Sequence, residues 1–129
     1  MTIPSDLRYS EDHEWARVEG DVVTVGVTHH AQDALGDIVF VELPDEGREV
    51  TQGEAFGVVE SVKAVSDLFA PISGTVKERN EPLLDAPETV NKDPYGDGWM
   101  VKITVADQAL VEQLLDANAY QALLDKEAK

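Results

Sequence analysis

The sequence predicts a mainly β fold, namely a β sandwich with one short internal helix and further helices near the carboxyl end. Two observations support this prediction. Short runs of β-branched and aromatic residues alternate with turns that contain glycine or proline, as is typical of strands. Apolar residues at helical spacing follow near the end of the chain. Because the length allows one domain with a core of its own, we expect a single domain over residues 1–129.

The predicted strands are short, and the turns between them have a chemical cause. Gly20 supplies the positive φ that a tight hairpin needs, and residues 44–47 form a typical turn sequence that starts with proline and ends with glycine. Thr28 is predicted to cap a helix through Leu35, and Gly36 to end it. The predicted strands span residues 13–18, 21–27, 38–43, 49–51, 54–60, 66–70, 73–79 and 99–105.

The last third of the chain combines a predicted loop with predicted helices. Residues 80–97 are rich in proline, glycine and polar residues, which favours a long loop. Asp107 is the predicted cap of one helix and Asn118 the predicted start of a second. We expect a helical region over about residues 107–125 and a frayed tail over 125–129. The predicted apolar faces carry Leu110, Val111, Leu114, Leu115, Tyr120, Leu123 and Leu124.

The composition is strongly acidic and excludes several function classes. Twenty-six acidic against ten basic residues give a net charge of −16. This charge disfavours binding to nucleic acids and to anionic membranes, which attract basic surfaces. It suits docking onto basic surfaces of partner proteins, although an acidic proteome or a saline cytoplasm would produce the same balance.

Cysteine is absent, so disulfides, thiolate metal sites and thiol nucleophiles are excluded, and any sulfur chemistry requires an attached cofactor. No apolar run approaches the roughly 20 residues that span a bilayer. The first residues lack the basic and apolar parts of a secretory signal and the arginine and serine bias of a transit peptide. We therefore expect a cytoplasmic protein without membrane association, or a mature form in an organelle matrix.

The sequence gives little reason to expect a metal site or an independent enzyme. His13, His29 and His30 are the histidines, and adjacent residues of a helix point about 100° apart, so His29 and His30 are poorly placed to share a metal. No Gly-x-Ser-x-Gly elbow, phosphate loop or dinucleotide fingerprint occurs. We therefore expect no metal and no catalytic array.

Lys63 is the centre of the most informative stretch. Two apolar strand-like runs flank a short polar segment over residues 57–69, with Lys63 in its middle. A lysine at such a hairpin tip extends into water on a flexible stem. Most lysines in that position are only solvated, so the argument for a function depends on resemblance.

The chain resembles the glycine cleavage system H protein family in several blocks that occur in order along nearly its whole length. The blocks are Tyr9 with His13-Glu14-Trp15, Ala31-Gln32 with Leu35-Gly36-Asp37-Ile38-Val39-Phe40-Val41-Glu42-Leu43-Pro44, Val59-Glu60-Ser61-Val62-Lys63-Ala64 with Ser66-Asp67, Pro71-Ile72-Ser73-Gly74, and Pro94-Tyr95-Gly96 with Gly98-Trp99-Met100. The resemblance implies a lipoyl-domain-like sandwich, also called a barrel-sandwich hybrid, with extra terminal helices.

The resemblance also implies the site residues. Lys63 would carry covalent lipoate, and Glu14 and Asp67 would lie near the docked, loaded arm. His30 is a further candidate for holding the arm, because it lies one helical turn before position 34. Some relatives have a histidine where this chain has Ala34, so the arm is expected to dock differently here. The residues expected to present the lysine to a lipoylating enzyme are Glu60, Ser61, Val62, Ala64 and Asp67.

The implied function is a monomeric, non-catalytic carrier. Its implied partners are a pyridoxal-phosphate glycine decarboxylase, a tetrahydrofolate-dependent aminomethyltransferase, the FAD- and NAD-dependent dihydrolipoamide dehydrogenase, and lipoylating enzymes. An H-like protein that donates lipoyl groups to other enzymes is the main alternative. Biotin carriers usually have methionines beside the lysine, and lipoyl domains of 2-oxo acid dehydrogenases usually have aspartate before it, whereas Val62 and Ala64 flank Lys63. A purely structural interaction module is the remaining alternative.

Overall fold

Short antiparallel strands form two sheets in the computed structural model, which describes residues 3–106 and 108–127, apart from the side chains of residues 108 and 109. The strands are β1 (Arg8–Tyr9), β2 (Glu14–Glu19), β3 (Val22–Val27), β4 (Ile38–Glu42), β5 (Glu49–Val50), β6 (Ala55–Ser61), β7 (Val65–Phe69), β8 (Gly74–Arg79) and β9 (Val101–Thr104). One sheet has the order β1-β2-β3-β9-β8-β5, and the other has the order β4-β6-β7.

Both sheets contribute to one apolar core. Val23 and Ile103 from the larger sheet are fully buried, as are Val41 and Val59 from the smaller sheet. Residues of a strand alternate between its two faces, so each sheet directs one row of apolar side chains inward. This arrangement confirms the predicted β sandwich.

The predicted internal helix and its two caps are confirmed. The Oγ1 of Thr28 accepts the backbone N–H of Ala31 at 3.2 Å, which satisfies one of the free donors at the start of the helix. Gly36 ends the helix at a φ of 82°, where a side chain would be strained. The helices are α1 (His29–Leu35), α2 (Glu81–Asp85), α3 (Thr89–Lys92) and α4 (Ala117–Glu127), with a 3-10 helix at Gln108–Gln113.

The prediction of one long loop over residues 80–97 is wrong, because α2 and α3 lie within it. Each helix has at most five residues, which is too short for a periodic pattern of apolar side chains to show. The amide of Asn80 donates to the carbonyls of Asp97 at 2.8 Å and Trp99 at 2.6 Å. These two bonds fasten the end of the segment to its beginning.

The carboxyl-terminal region is helical, but in a different form from the predicted one. Its first part is a 3-10 helix, in which Leu110 is 40% exposed instead of buried, and the predicted cap Asp107 lies outside the described residues. The carboxylate of Asp116 accepts an N–H from the first turn of α4 at 2.8 Å, so the helix starts before the predicted Asn118. It continues to residue 127 where fraying was expected, and residues 128–129 lie outside the described part.

A second apolar cluster fastens α4 to the larger sheet. The rings of Tyr9 and Tyr120 stack with centroids 4.6 Å apart, and Trp15 and Leu124 are buried in the same cluster. This cluster brings the end of α4 close to the start of β2.

No helix among the described residues has the length and apolar character needed to cross a bilayer.

Candidate functional site

The β6–β7 hairpin turns at Lys63, and Ser61 holds the turn. The Oγ of Ser61 accepts the backbone N–H groups of Lys63 at 3.3 Å and Ala64 at 3.1 Å, while its own N–H donates to the carbonyl of Ala64 at 2.8 Å. The N–H of Val62 donates to the carbonyl of Asp37 at 3.0 Å. The tip is therefore anchored both within the hairpin and to the connection between α1 and β4.

Lys63 is exposed at this anchored tip. Among the residues that the structure describes, no carboxylate forms an ion pair with its ammonium. The lysine stem passes close to the end of α1, where a Cβ added at Gly36 would lie 3.6 Å from the Cε of Lys63. This is an ordinary van der Waals distance, so the stem runs alongside the end of α1, and the exposed amine is open to an approaching enzyme.

An exposed apolar patch surrounds the lysine. Its four members, which we call the tip patch, are exposed by 53%, 48%, 70% and 67% and are Val39, Phe40, Val62 and Val65. The strand register places them at one end of the smaller sheet, since Phe40 pairs with Glu60, and Glu60 pairs with Val65. Glu60 is half-buried and Asp67 is exposed. An apolar patch with acidic neighbours is typical of a surface that contacts other proteins.

An open cavity of about 240 Å³ lies beside α1. Its walls include His13, His30, Ala34 and Leu35, and Ser66 from β7 completes them on the side of the hairpin. Lys63 and this cavity thus both lie beside the end of α1, because Lys63 is close to Gly36 and the preceding residue, Leu35, lines the cavity. The space beside Ala34 is part of the cavity, because the small side chain of Ala34 lies in its wall.

Glu14 is buried and fully hydrogen-bonded. One carboxylate oxygen accepts the hydroxyl of Ser10 at 2.6 Å, and the other accepts the backbone N–H of Phe69 at 3.1 Å. Burial raises the pKa of Glu14 to about 8, although both hydrogen bonds oppose this shift. Glu14 is only 2% exposed, so it is a buried acid at the start of β2.

His13 lies where three elements meet, with a positive φ of 67° that is rare for a residue with a side chain. Its Nε2 lies 3.2 Å from the carboxylate of Glu127 in α4, and its Nδ1 lies 2.8 Å from the hydroxyl of Tyr120. The ring centroids of His13 and His30 are 4.7 Å apart. Burial lowers the pKa of His13, whereas Glu127 acts in the opposite direction.

Of the three residues expected near a docked arm, His30 lines the cavity, whereas Glu14 and Asp67 do not. Ser66 lines the cavity, and its neighbour Asp67 points to the other face of the strand, because successive residues alternate. Sequence reasoning missed His13 as the partner of His30, since a contact between residues so far apart has no local sequence signal.

Comparison with known proteins places these features in a family. The sequence profile described as Glycine cleavage H-protein matches residues 7–127. The chain is 58% identical over 127 residues to the glycine cleavage system H protein of Anaeromyxobacter sp. (strain K), covering 98% of this chain and 99% of that protein. It is 60% identical over 119 residues to the probable glycine cleavage system H protein of Haloarcula marismortui, covering 92% and 94%.

A solved structure has the same fold as this chain. The crystal structure of a glycine cleavage system H protein from Mycobacterium marinum is similar with a TM-score of 0.88 at 44% identity, covering 95% of this chain and 99% of that chain. The profile, the relatives and this structure span the sandwich, the hairpin that carries Lys63 and the terminal helix together. On these grounds, the chain belongs to the glycine cleavage H-protein family.

Proposed function

We propose that the chain is the lipoyl carrier of a glycine cleavage system, with lipoate in amide linkage to Lys63. The observation that supports this most strongly is an exposed amine on an anchored hairpin tip. Family membership supports the same function, because the relatives are named as H proteins of that system.

The residues at the tip fit a covalently attached group. Amide formation removes the positive charge of Lys63, and no ion pair with a described carboxylate has to break. The side chain of Lys63 is exposed, so a modified side chain has space to extend from the tip. When bound, lipoate supplies a dithiolane that accepts an aminomethyl group and two electrons, while the protein supplies position and tethering.

We further propose that a lipoylating enzyme recognises the tip by its shape and its exposed side chains. Val62, Ala64 and Asp67 are exposed and available for contact, and Glu60 is half-buried beside them. Ser61 acts differently, because it is buried and its hydroxyl is used to hold the turn. Its contribution is to fix the direction in which the lysine leaves the protein.

The cavity beside α1 is the proposed resting place of the loaded arm. It begins next to Gly36 and contains His30, so an arm on Lys63 can run along α1 into it. Glu14 would accept a charge-assisted hydrogen bond from an ammonium group. This contact requires the residues that cover Glu14 to move, because Glu14 is nearly inaccessible. Asp67 would act from the outer face of β7.

A double variant tests this docking. If Glu14 and Asp67 hold the loaded arm, Glu14→Ala combined with Asp67→Ala should hydrolyse the aminomethyl-loaded form faster than the wild type. Glu11→Ala is the control, because Glu14 keeps its proton near neutral pH and the double variant therefore removes one charge, as Glu11→Ala does. An unchanged hydrolysis rate in the double variant would exclude these two acids, and would leave His30 and the cavity for separate testing.

We propose that the chain catalyses no step itself and serves three enzymes in turn, namely the decarboxylase, the aminomethyltransferase and dihydrolipoamide dehydrogenase. The tip patch and the net charge of −16 support docking onto partner surfaces with an apolar centre and a basic rim. Charge of this kind raises association rates more than it raises affinity.

The attachment site is tested by intact-mass measurement after co-expression with a lipoylating enzyme. The wild type should gain one lipoyl group, and Lys63→Arg should gain none. Lys77→Arg is the control, because Lys77 is likewise exposed but lies in β8, away from the hairpin turn. A lipoyl group that persists in Lys63→Arg would refute this site, and an unmodified wild type would favour a purely structural module.

The role in glycine cleavage needs a separate assay. Lipoylated wild-type protein should support exchange between glycine and bicarbonate by glycine decarboxylase, whereas Lys63→Arg should not. A fully lipoylated protein that fails in this exchange would contradict the proposed role and favour lipoyl donation to other enzymes.

A further inference from the structure

Three potential metal ligands converge where β2, α1 and α4 meet. The ligand atoms of His13, His30 and Glu127 all lie within 4.8 Å of one another. They belong to the loop before β2, to the first turn of α1 and to the last turn of α4. The fold therefore assembles them from parts of the chain that are far apart in sequence.

We propose that His13, His30 and Glu127 bind a divalent transition-metal ion such as Zn²⁺. Two imidazoles and one carboxylate form a donor set that zinc commonly takes, with at least one further position open. Ligands at about 2.0–2.1 Å from a tetrahedral ion lie about 3.3 Å from each other. The Nε2 of His13 and the carboxylate oxygen of Glu127 already lie 3.2 Å apart.

Hydrogen bonds behind His13 favour a ligand role. Its Nδ1 lies 2.8 Å from the hydroxyl of Tyr120, which lies 2.8 Å from the Oγ1 of Thr28. When Nδ1–H donates to Tyr120 and Tyr120 donates to Thr28, the Nε2 lone pair faces Glu127. A cation between the two groups then satisfies both. Metal-binding histidines usually have such a hydrogen bond at their other nitrogen.

The backbone also fits a site that is held in place. The positive φ of His13 is a strained conformation that the surrounding structure must maintain, and such conformations cluster at functional positions. Tyr120 fixes α4 through its stack on Tyr9, so the last turn of α4 with Glu127 is kept near His13. The Nε2 of His13 and the carboxylate of Glu127 are already at ligand spacing, and a ring nitrogen of His30 lies within 4.8 Å of both.

Calorimetric titration of the full-length chain with Zn²⁺ tests the proposal, with Lys63 left unmodified so that no lipoyl sulfur competes for the metal. The wild type should bind one equivalent. His30→Gln and Glu127→Gln should each weaken binding by at least about tenfold, which is the usual effect of disturbing a metal site. His29→Gln and Glu112→Gln are the matched controls and should bind like the wild type, since neither residue belongs to the group.

A second readout separates a built site from general attraction to an acidic surface. Titration with Co²⁺ should give the visible absorption bands of a cobalt ion with nitrogen ligands in the wild type, and these bands should be lost in His30→Gln. Equal Zn²⁺ affinity in the wild type and His30→Gln, or absence of one-equivalent binding in the wild type, would overturn the proposal. Circular dichroism of each variant establishes that the fold is retained.

Discussion

Replacing Glu14 with glutamine should remove a pH dependence from the stability of the protein. Burial raises the pKa of Glu14 in the folded state to about 8, from an ordinary value of 4.5. The folded state therefore keeps a proton that the unfolded state releases, and the free energy of unfolding falls as the pH rises from 4.5 to 8. Each pH unit is worth about 1.4 kcal/mol, so the total fall is about 5 kcal/mol.

Urea denaturation of the wild type and Glu14→Gln between pH 5 and pH 9 measures this effect, in buffers that contain a metal chelator. Glutamine has nearly the same shape and can still accept the Phe69 N–H, but it does not titrate. As the pH rises to about 8, the wild type should lose unfolding free energy relative to Glu14→Gln. Above that pH the difference between the two proteins should stay constant. Glu11→Gln changes an exposed acid in the same turn and should follow the wild type. Parallel curves for the wild type and Glu14→Gln would refute the assigned burial and pKa.

Three further substitutions have outcomes that follow from contacts in the structure. Gly57→Ala places a Cβ against the backbone carbonyl oxygen of Glu42 in β4, so urea denaturation should show a loss of about 1–3 kcal/mol; an unchanged midpoint contradicts this close approach. Trp15→Phe removes the indole N–H that donates to the carbonyl of Pro94 at 2.8 Å, so the free energy of unfolding should fall by about 1–3 kcal/mol, and a neutral effect rules out that bond as a stabilising one. Ser61→Ala removes the acceptor of two backbone N–H groups at the tip, so we expect about 1 kcal/mol of destabilisation and slower lipoylation of Lys63 in a mass-spectrometric time course. A lipoylation rate equal to that of the wild type would show that the turn needs no such support.

The features that the sequence predicts correctly depend on local chemistry. The cap at Thr28 and the helix end at Gly36 are set by side chains and backbone angles within a few residues, and both are confirmed. The β6–β7 hairpin with Lys63 at its turn is likewise a local strand–turn–strand pattern. The role proposed for this lysine comes from the sequence blocks that resemble the family, because no local pattern indicates that role.

The features that the sequence does not reveal arise from contacts between distant parts of the chain. Burial of Glu14 depends on a hydrogen bond to Phe69, which lies on another sheet. His13 meets His30 only because the strands and α1 are folded against each other. The short helices α2 and α3 escape prediction for a different reason, since one turn of helix carries too few residues to show a period.

The tip patch has a consequence for the behaviour of the protein in concentrated solution. Two copies that meet tip to tip would gain apolar contact, but each carries a net charge of −16. Their mutual repulsion reaches only about 10 Å at 0.1 M ionic strength and shortens as salt is added. A high salt concentration therefore screens the repulsion between two copies. Salts such as sulfate also strengthen apolar association. The net charge therefore opposes association of the tip patch with a second copy, and buffers of low ionic strength suit storage of the purified protein.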